Sequence, residues 1–261
     1  MRRPSGYLSL LSTLGLVVLV CGIYFGPQLI TYYKLRSSVF RPVGNPPRGW
    51  SSVPRPLTDM NALSGEGSTI SHYGYTFEVP WKGSLREQEH ARWFTTQFGT
   101  GQMVTIVDPK TSQTDPLKYP HAIDSDVYQE AFGKGIEGSK YDHYKAIISA
   151  TPSQWSLFRS RTSFARVRTL LEMKGLWFEH NPSAPDILSF DTSAFRGFEI
   201  SGLSQGWQYV ELNCFDNTDR WLKITIEVND QSGVILSQPE VNRVITTLGP
   251  LKSGRTEHSP N

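Results

Sequence analysis

Gly133-Lys134-Gly135-Ile136-Glu137-Gly138 spells the G-x-G-x-x-G pattern. Its backbone amides cradle a pyrophosphate when a strand runs into the glycines and a helix starts from them. Here Ser125 to Phe132, just before, carries apolar residues at helical spacing, and no βαβ unit follows, so the glycines read as a connection between helices. Cys214 falls on the same strand face as Val210 and Leu212, which makes it a small core residue rather than a nucleophile. The histidines (His72, His90, His121, His143, His180, His258) form no H-x-H, H-x-x-x-H or H-E-x-x-H pair. His143, beside Asp142, is the one with acid–base potential, against a bland reading as a surface or interface histidine on a helix. Asp216 and Asp219 bracket a short turn without glycine, too poor in oxygen ligands for calcium. Arg159, Arg161, Arg166 and Arg168 read as the solvent face of helices, with anion or lipid contact as the alternative. No residue is assigned a catalytic, cofactor-binding or metal-binding role.

The elements that would position these groups follow from periodicity. His72 to Pro80 alternates Tyr73, Tyr75, Phe77 and Val79 on one face, a strand. Arg92 to Phe98 and Met103 to Val107 form a hairpin across Gly99-Thr100-Gly101. Ser125 to Phe132, Tyr141 to Ala150, Pro152 to Phe158 and Ser163 to Lys174 read as helices. Thr151-Pro152-Ser153-Gln154 starts the third of these, and Gly175 ends the last. Strands return at Ala194 to Ser201, Trp207 to Phe215 and Trp221 to Val228, the last two joined by the turn Asp216 to Asp219. Ser237-Gln238-Pro239-Glu240 is a capping box for a helix that buries Val241, Val244, Ile245 and Leu248. The expected fold is α+β, an antiparallel sheet with packed helices over residues 69–248, followed by a disordered tail over residues 249–261.

Before that domain the composition changes. Residues 1–6 are a short basic N-terminus. Tyr7 to Gly26 has no charge in twenty residues, which at about 1.5 Å per residue spans a bilayer core. Residues 7–27 are therefore expected to be a single transmembrane signal-anchor helix and to contact the lipid bilayer. Val20 and Gly22 are a poor cleavage site, and Cys21 after Leu19 and Val20 is a poor lipidation site. Arg2 and Arg3 favour an N-in, C-out topology with an extracytoplasmic domain, while Lys34, Arg36 and Arg41 pull the other way. Residues 28–68 read as a Pro/Gly-rich tether. From Met1 to Thr58 there are seven basic and no acidic residues, whereas Asp59 to Asn261 has 19 basic against 24 acidic, so +7 and −5 make the net +2. A domain of that sign has no electrostatic footprint for nucleic acid.

The opening Tyr75, Phe77, Val79, Pro80 and Trp81, with the closing pair of long strands and the helix from Pro239 to Leu248, resembles the PsbP-like α/β/α sandwich domains. The resemblance covers the two ends of the domain and implies a non-enzymatic accessory or assembly role; no family functional residue is carried over. The expectation is a membrane-anchored binding or assembly module of bacterial style, without a cofactor. Its partner would meet an aromatic sheet face marked by one or two exposed tryptophans among Trp81, Trp93, Trp155, Trp177, Trp207 and Trp221. The competing expectation is a membrane-anchored hydrolase, for which at least two of His72, His143, Asp142 and Asp191 must converge.

Overall fold

The computed structural model describes residues 13–26, 29–30, 52–99, 101–110, 132, 138–151, 154, 161–178, 185–204, 206–229 and 233–251. A helix over residues 13–26 (α1) comes first. Strands β1 (Arg55–Pro56), β2 (Ser68–His72), β3 (Tyr75–Val79), β4 (Ser84–Glu89), β5 (Trp93–Phe98) and β6 (Gln102–Val107) follow. Helices α2 (Lys140–Ser149) and α3 (Arg161–Phe178) precede β7 (Asp186–Asp191), β8 (Phe195–Ser204), β9 (Trp207–Asp216) and β10 (Trp221–Asn229). Helix α4 (Gln238–Thr247) and β11 (Gly249–Pro250) complete the series. The fold is α+β. Eight strands form one sheet in the order β1-β7-β8-β9-β10-β6-β5-β4, antiparallel except for the β1–β7 pair, and β11-β3-β2 form a second, smaller sheet.

The long strands divide their residues by period two. Val210, Leu212 and Cys214 on β9 and Leu222, Ile224, Ile226 and Val228 on β10 point into one core with Tyr75, Phe77 and Val79 of the small sheet and Val241, Val244 and Ile245 of α4. Each such side chain, fully buried, contributes about 1.5–3 kcal/mol of transfer free energy. The alternate residues Phe198, Ile200, Phe215 and Trp221 form a second core with Tyr144 and Ile148 of α2. Gly197 sits where β7, β8 and β9 come closest: a Cβ there would lie 2.3 Å from the Asn213 carbonyl oxygen and 2.7 Å from the Phe190 ring. Helix α4 starts at the expected capping box, with Glu240 accepting from the Ser237 amide at 2.7 Å and its hydroxyl at 2.8 Å.

Several expectations change. The segment from His72 to Pro80 is not one strand but the second half of a hairpin, because Tyr73 and Gly74 take φ of 52° and 83° and turn β2 into β3. Tyrosine is an uncommon residue for that left-handed position, which hid the turn. Gly175 does not end its helix; α3 continues to Phe178. A lone helical glycine costs only about 1 kcal/mol, and the buried stripe of Leu171, Met173 and Lys174 outweighs it. His143 is not on the surface but buried at 6% exposure, its ring 4.5 Å from that of Phe132. The rest of the helix expected over Ser125 to Phe132, most of the one from Pro152 to Phe158, and Trp155 lie outside the described residues. Gly249 and Pro250, expected in the tail, pair with Thr76 and Tyr75.

The expected tether ends sooner than residue 68, because its last part is strapped to the domain. Lys174 Nζ donates to the Ser52 carbonyl at 2.6 Å, and Arg55 Nη2 donates to both Asp186 carboxylate oxygens at 2.7 and 2.8 Å. The Leu57 amide donates to Ser189 O at 2.8 Å and the Leu63 amide to Pro239 O at 2.9 Å. Between them, Asn242 Nδ2 donates to the carbonyls of Asp59 at 3.0 Å and Asn61 at 2.9 Å. Leu57 and Met60 pack against the main core.

Upstream, α1 presents Leu14, Val18 and Ile23 at 61%, 66% and 70% exposure. Among the described residues no helix is long and apolar enough to cross a membrane; residues 7–12 of the expected span lie outside them.

Lys174 also donates to Ala150 O at 2.8 Å, placing its ammonium at the C-terminal end of α2, whose own last turn has no basic residue. Burial pushes the Lys174 pKa from 10.5 down to about 8. The folded protein thus releases this proton before the unfolded chain does. Between those values the unfolded chain binds more protons, so stability rises with pH by up to about 3 kcal/mol. Thermal unfolding of the full chain in mild detergent, followed by near-ultraviolet circular dichroism, should show that rise from about pH 8 upward, and Lys174→Met should remove it.

Candidate functional site

Helix α2 covers the β7–β9 end of the large sheet, and the same face continues across β10, β6, β5 and β4 with a different chemistry. The strand register lines its outward residues into three rows. The first holds Arg86, Gln97, Met103, Glu227 and Tyr209; the second Gln88, Thr95, Thr105, Thr225 and Glu211. In the third, Trp93, Val107, Lys223 and Asn213 stand side by side, and His90 closes the row by donating its amide to Trp93 O at 2.8 Å. On β5, β6, β10 and β9 the opposite face is mostly apolar and buried, so the alternation that builds the core also builds this polar surface.

Its middle is a connected polar chain. Trp221 Nε1 donates to Asn213 Oδ1 at 3.1 Å, Asn213 Nδ2 donates to Glu211 Oε1 at 2.8 Å, and Lys223 pairs with the other oxygen of Glu211. Burial alone would raise the Glu211 pKa, but the Lys223 ammonium and the Asn213 amide hold it below the usual carboxylate value. Burial raises that of Glu227, with Lys223 opposing. Thr95 and Thr105 share a hydrogen bond of 3.0 Å across β5 and β6. At the rim Trp93 is 39% exposed, its ring 5.1 Å from that of His90. Other tryptophans turn inward: Trp221 is buried and Trp81 packs on Phe98 at 5.8 Å. Trp93 is therefore the exposed sheet-face tryptophan among the described residues, and periodicity alone could not choose it from the others.

The residues weighed for catalysis go elsewhere. His72 stacks on Phe94 at 4.0 Å on the small-sheet side, so the large sheet separates it from α2. Asp142 serves in the capping box of α2, accepting from Ser139 Oγ at 2.6 Å; this hydrogen bond first, and Arg196 in smaller part, keeps its carboxyl below the usual range. Asp191 ends β7. Cys214 is fully buried, and that burial drives its thiol pKa far up. Asp216 is a turn residue as expected, accepting from Thr218 N at 2.8 Å and Arg220 N at 3.0 Å. Arg166 is exposed, and Arg168 lies 3.8 Å from Glu172 one turn on; Arg159 and the side chain of Arg161 lie outside the described residues.

Of the glycine-rich motif only Gly138 is described, and it leads directly into Ser139, the N-cap of α2. The amides that a phosphate would need there are already engaged. Lys140 N and Tyr141 N both donate to the Asp219 carboxylate, and Asp142 N donates to Ser139 Oγ at 3.2 Å. The hairpin turn thus supplies the anion for the helix terminus. Arg196 reaches Ser139 Oγ at 2.9 Å and lies 4.2 Å over the Tyr141 ring, so the cluster ties α2 to β8 and the β9–β10 turn.

Among the described residues no group of three His, Cys, Asp or Glu side chains could hold a metal ion. What the three-row face offers is a mixed-charge, hydroxyl-rich surface with an aromatic rim, a composition suited to recognition. No protein-family model matches this chain, and no curated protein matches it.

The Glu211–Lys223 pair is half-buried and should contribute modestly. A double-mutant cycle with Glu211→Gln and Lys223→Met, read by denaturant unfolding, should give a coupling of about 1 kcal/mol. Each single variant should lose more than the double variant, since it leaves one charge in the row without its partner.

Proposed function

We propose that this chain is a membrane-anchored binding or assembly module whose partner docks on the β4–β5–β6–β10–β9 face at Trp93. The observation that carries the reading is the three-row face itself: a broad polar surface with one exposed tryptophan, backed by a packed apolar core. Such backing is what lets an aromatic rim residue contribute binding energy without a large ordering cost. The anchor rests on residues 7–27. Its described part, α1, exposes leucine and valine all round, a surface that soluble domains bury and lipid accepts. We place the domain on the extracytoplasmic side, N-in and C-out. The large sheet carries α4 and the small sheet on one face and α2 on the other, and we propose a PsbP-like accessory domain on that layering. For the hydrolase reading, His72 lies on the opposite side of the large sheet from α2, and Asp142 is engaged in the α2 cap.

A photo-crosslinking amino acid at Trp93 or Gln97, in cells expressing the full chain, should trap one discrete partner, and the same probe at exposed Ile235 should not. Trp93→Ala should weaken capture by the Gln97 probe by at least about tenfold. Equal labelling from all three positions would remove this face as the docking surface. For topology, a reporter fused after Asn261 should be active only when exported; activity confined to the cytoplasm reverses the orientation.

A further inference from the structure

The strap over residues 52–63 is fastened by a relay of side-chain amides that ends on a buried acid. Glu199 projects from β8 on the same face as Leu188 and Leu212, its register neighbours on β7 and β9, and is 1% exposed. Its Oε2 accepts from Gln238 Nε2 at 2.8 Å. That nitrogen's second proton goes to Asn242 Oδ1 at 3.0 Å. Asn242, also 1% exposed, then donates both of its amide protons to the strap, at Asp59 O and Asn61 O. All four amide protons of the relay are spoken for, and they connect the carboxyl to the strap in a single sequence of hydrogen bonds. The strap crosses from Ser189 on β7 to Pro239 on α4, closing the gap between sheet edge and helix where Glu199 lies.

We propose that Glu199, through Gln238 and Asn242, is a proton-operated latch that holds the strap on the domain when protonated and loosens it when ionised. A neutral carboxyl in this position keeps the relay and carries no charge to solvate. An ionised one receives the hydrogen bond from Gln238 but is otherwise cut off from water, with the Asp186 carboxylate nearby, and release of the strap would return it to water. Burial raises the Glu199 pKa to about 7, with the Gln238 hydrogen bond opposing and the nearby Asp186 carboxylate adding. The other groups around it are accounted for. Asp186 of β7 is bound by Arg55 of β1, α4 presents the neutral amides Gln238 and Asn242, and β9 presents Leu212. On the strap, the Asp59 carboxylate is turned to the Asn61 amide at 2.9 Å. The sign follows: the docked state binds the Glu199 proton more tightly, so docking is strongest below the ordinary carboxylate range and weakens as pH rises through about 7.

Hydrogen exchange of the Leu57 and Leu63 amides in the full chain, in mild detergent and corrected for intrinsic rates, reads the latch directly. The β9–β10 hairpin amides serve as the internal reference. From about pH 5.5 to about pH 8.5 the strap amides should lose protection at least about tenfold relative to the hairpin, and Glu199→Gln should abolish that loss. Asn242→Ala cuts the relay at the strap and serves should Glu199→Gln not fold. Its strap amides should exchange fast at both pH values while the hairpin stays protected. Strap protection that tracks the hairpin throughout overturns the latch. So does a pH-dependent loss that persists in Glu199→Gln, or an Asn242→Ala strap as protected as the wild type's at the lower pH.

Discussion

Strict alternation along β9 and β10 is the constraint on which the rest depends. Each residue must serve one of two unlike surroundings, and a slip of one position would exchange Leu212 with Glu211 and Ile224 with Lys223. Because one face is predominantly apolar, the small sheet and α4 must cover it, and β2, β3 and β11 owe their existence to that cover rather than to their own length. The other face is under no such demand along its whole width. Where Phe198, Phe215 and Trp221 project, α2 docks; where Thr105, Thr225 and Glu227 project, polar contacts suffice. A single register thus decides both where the core lies and where a recognition surface can be placed.

Each end of helix α2 is served by a charged group, in addition to the apolar area that α2 buries on this sheet. Asp219 caps α2 from the hairpin turn, and Lys174 of α3 serves the carbonyl end of the same helix. Helix α2 therefore has an anion at its N-terminus and a cation at its C-terminus, both supplied from elsewhere in the chain, as its dipole requires. Both contacts bridge segments far apart in sequence, which makes the helical block dependent on the hairpin and on α3 together.

This explains what the amino-acid order reveals and what it conceals. The α4 helix was legible because its cap and its apolar stripe are local: Ser237, Glu240, Val241 and Val244 suffice. The β9–β10 hairpin was legible because Asp216 to Asp219 is a turn by composition. Strand β4 was not, since Ser84 to Glu89 is exposed along nearly its whole length and shows no apolar alternation; only pairing to β5 makes it a strand. The docked strap was hidden too, because its bonds are made by backbone carbonyls to Lys174 and Asn242, which no local pattern announces. For the candidate site, the expectation of an exposed sheet-face tryptophan was readable in advance, but the choice of Trp93 needed the register that puts it in one row with Val107 and Lys223.

The β4 edge of the large sheet has a bearing on how densely such domains can be crowded. Among the described residues β4 is the last strand of that sheet, and its outer backbone groups face no further strand. In antiparallel pairing about a twofold axis through the sheet, a centre at Arg86 opposes Arg86 to its own copy, one at Glu87 opposes Glu87 to its copy, and one at Gln88 sets Glu87 against Glu89. Like charges face each other in all three arrangements, which is unfavourable for directly opposed residues. A pairing of two copies centred on any of these three residues is therefore disfavoured, whereas a strand of different charge meets no such opposition. Copies brought side by side would meet that opposition in each of those three registers.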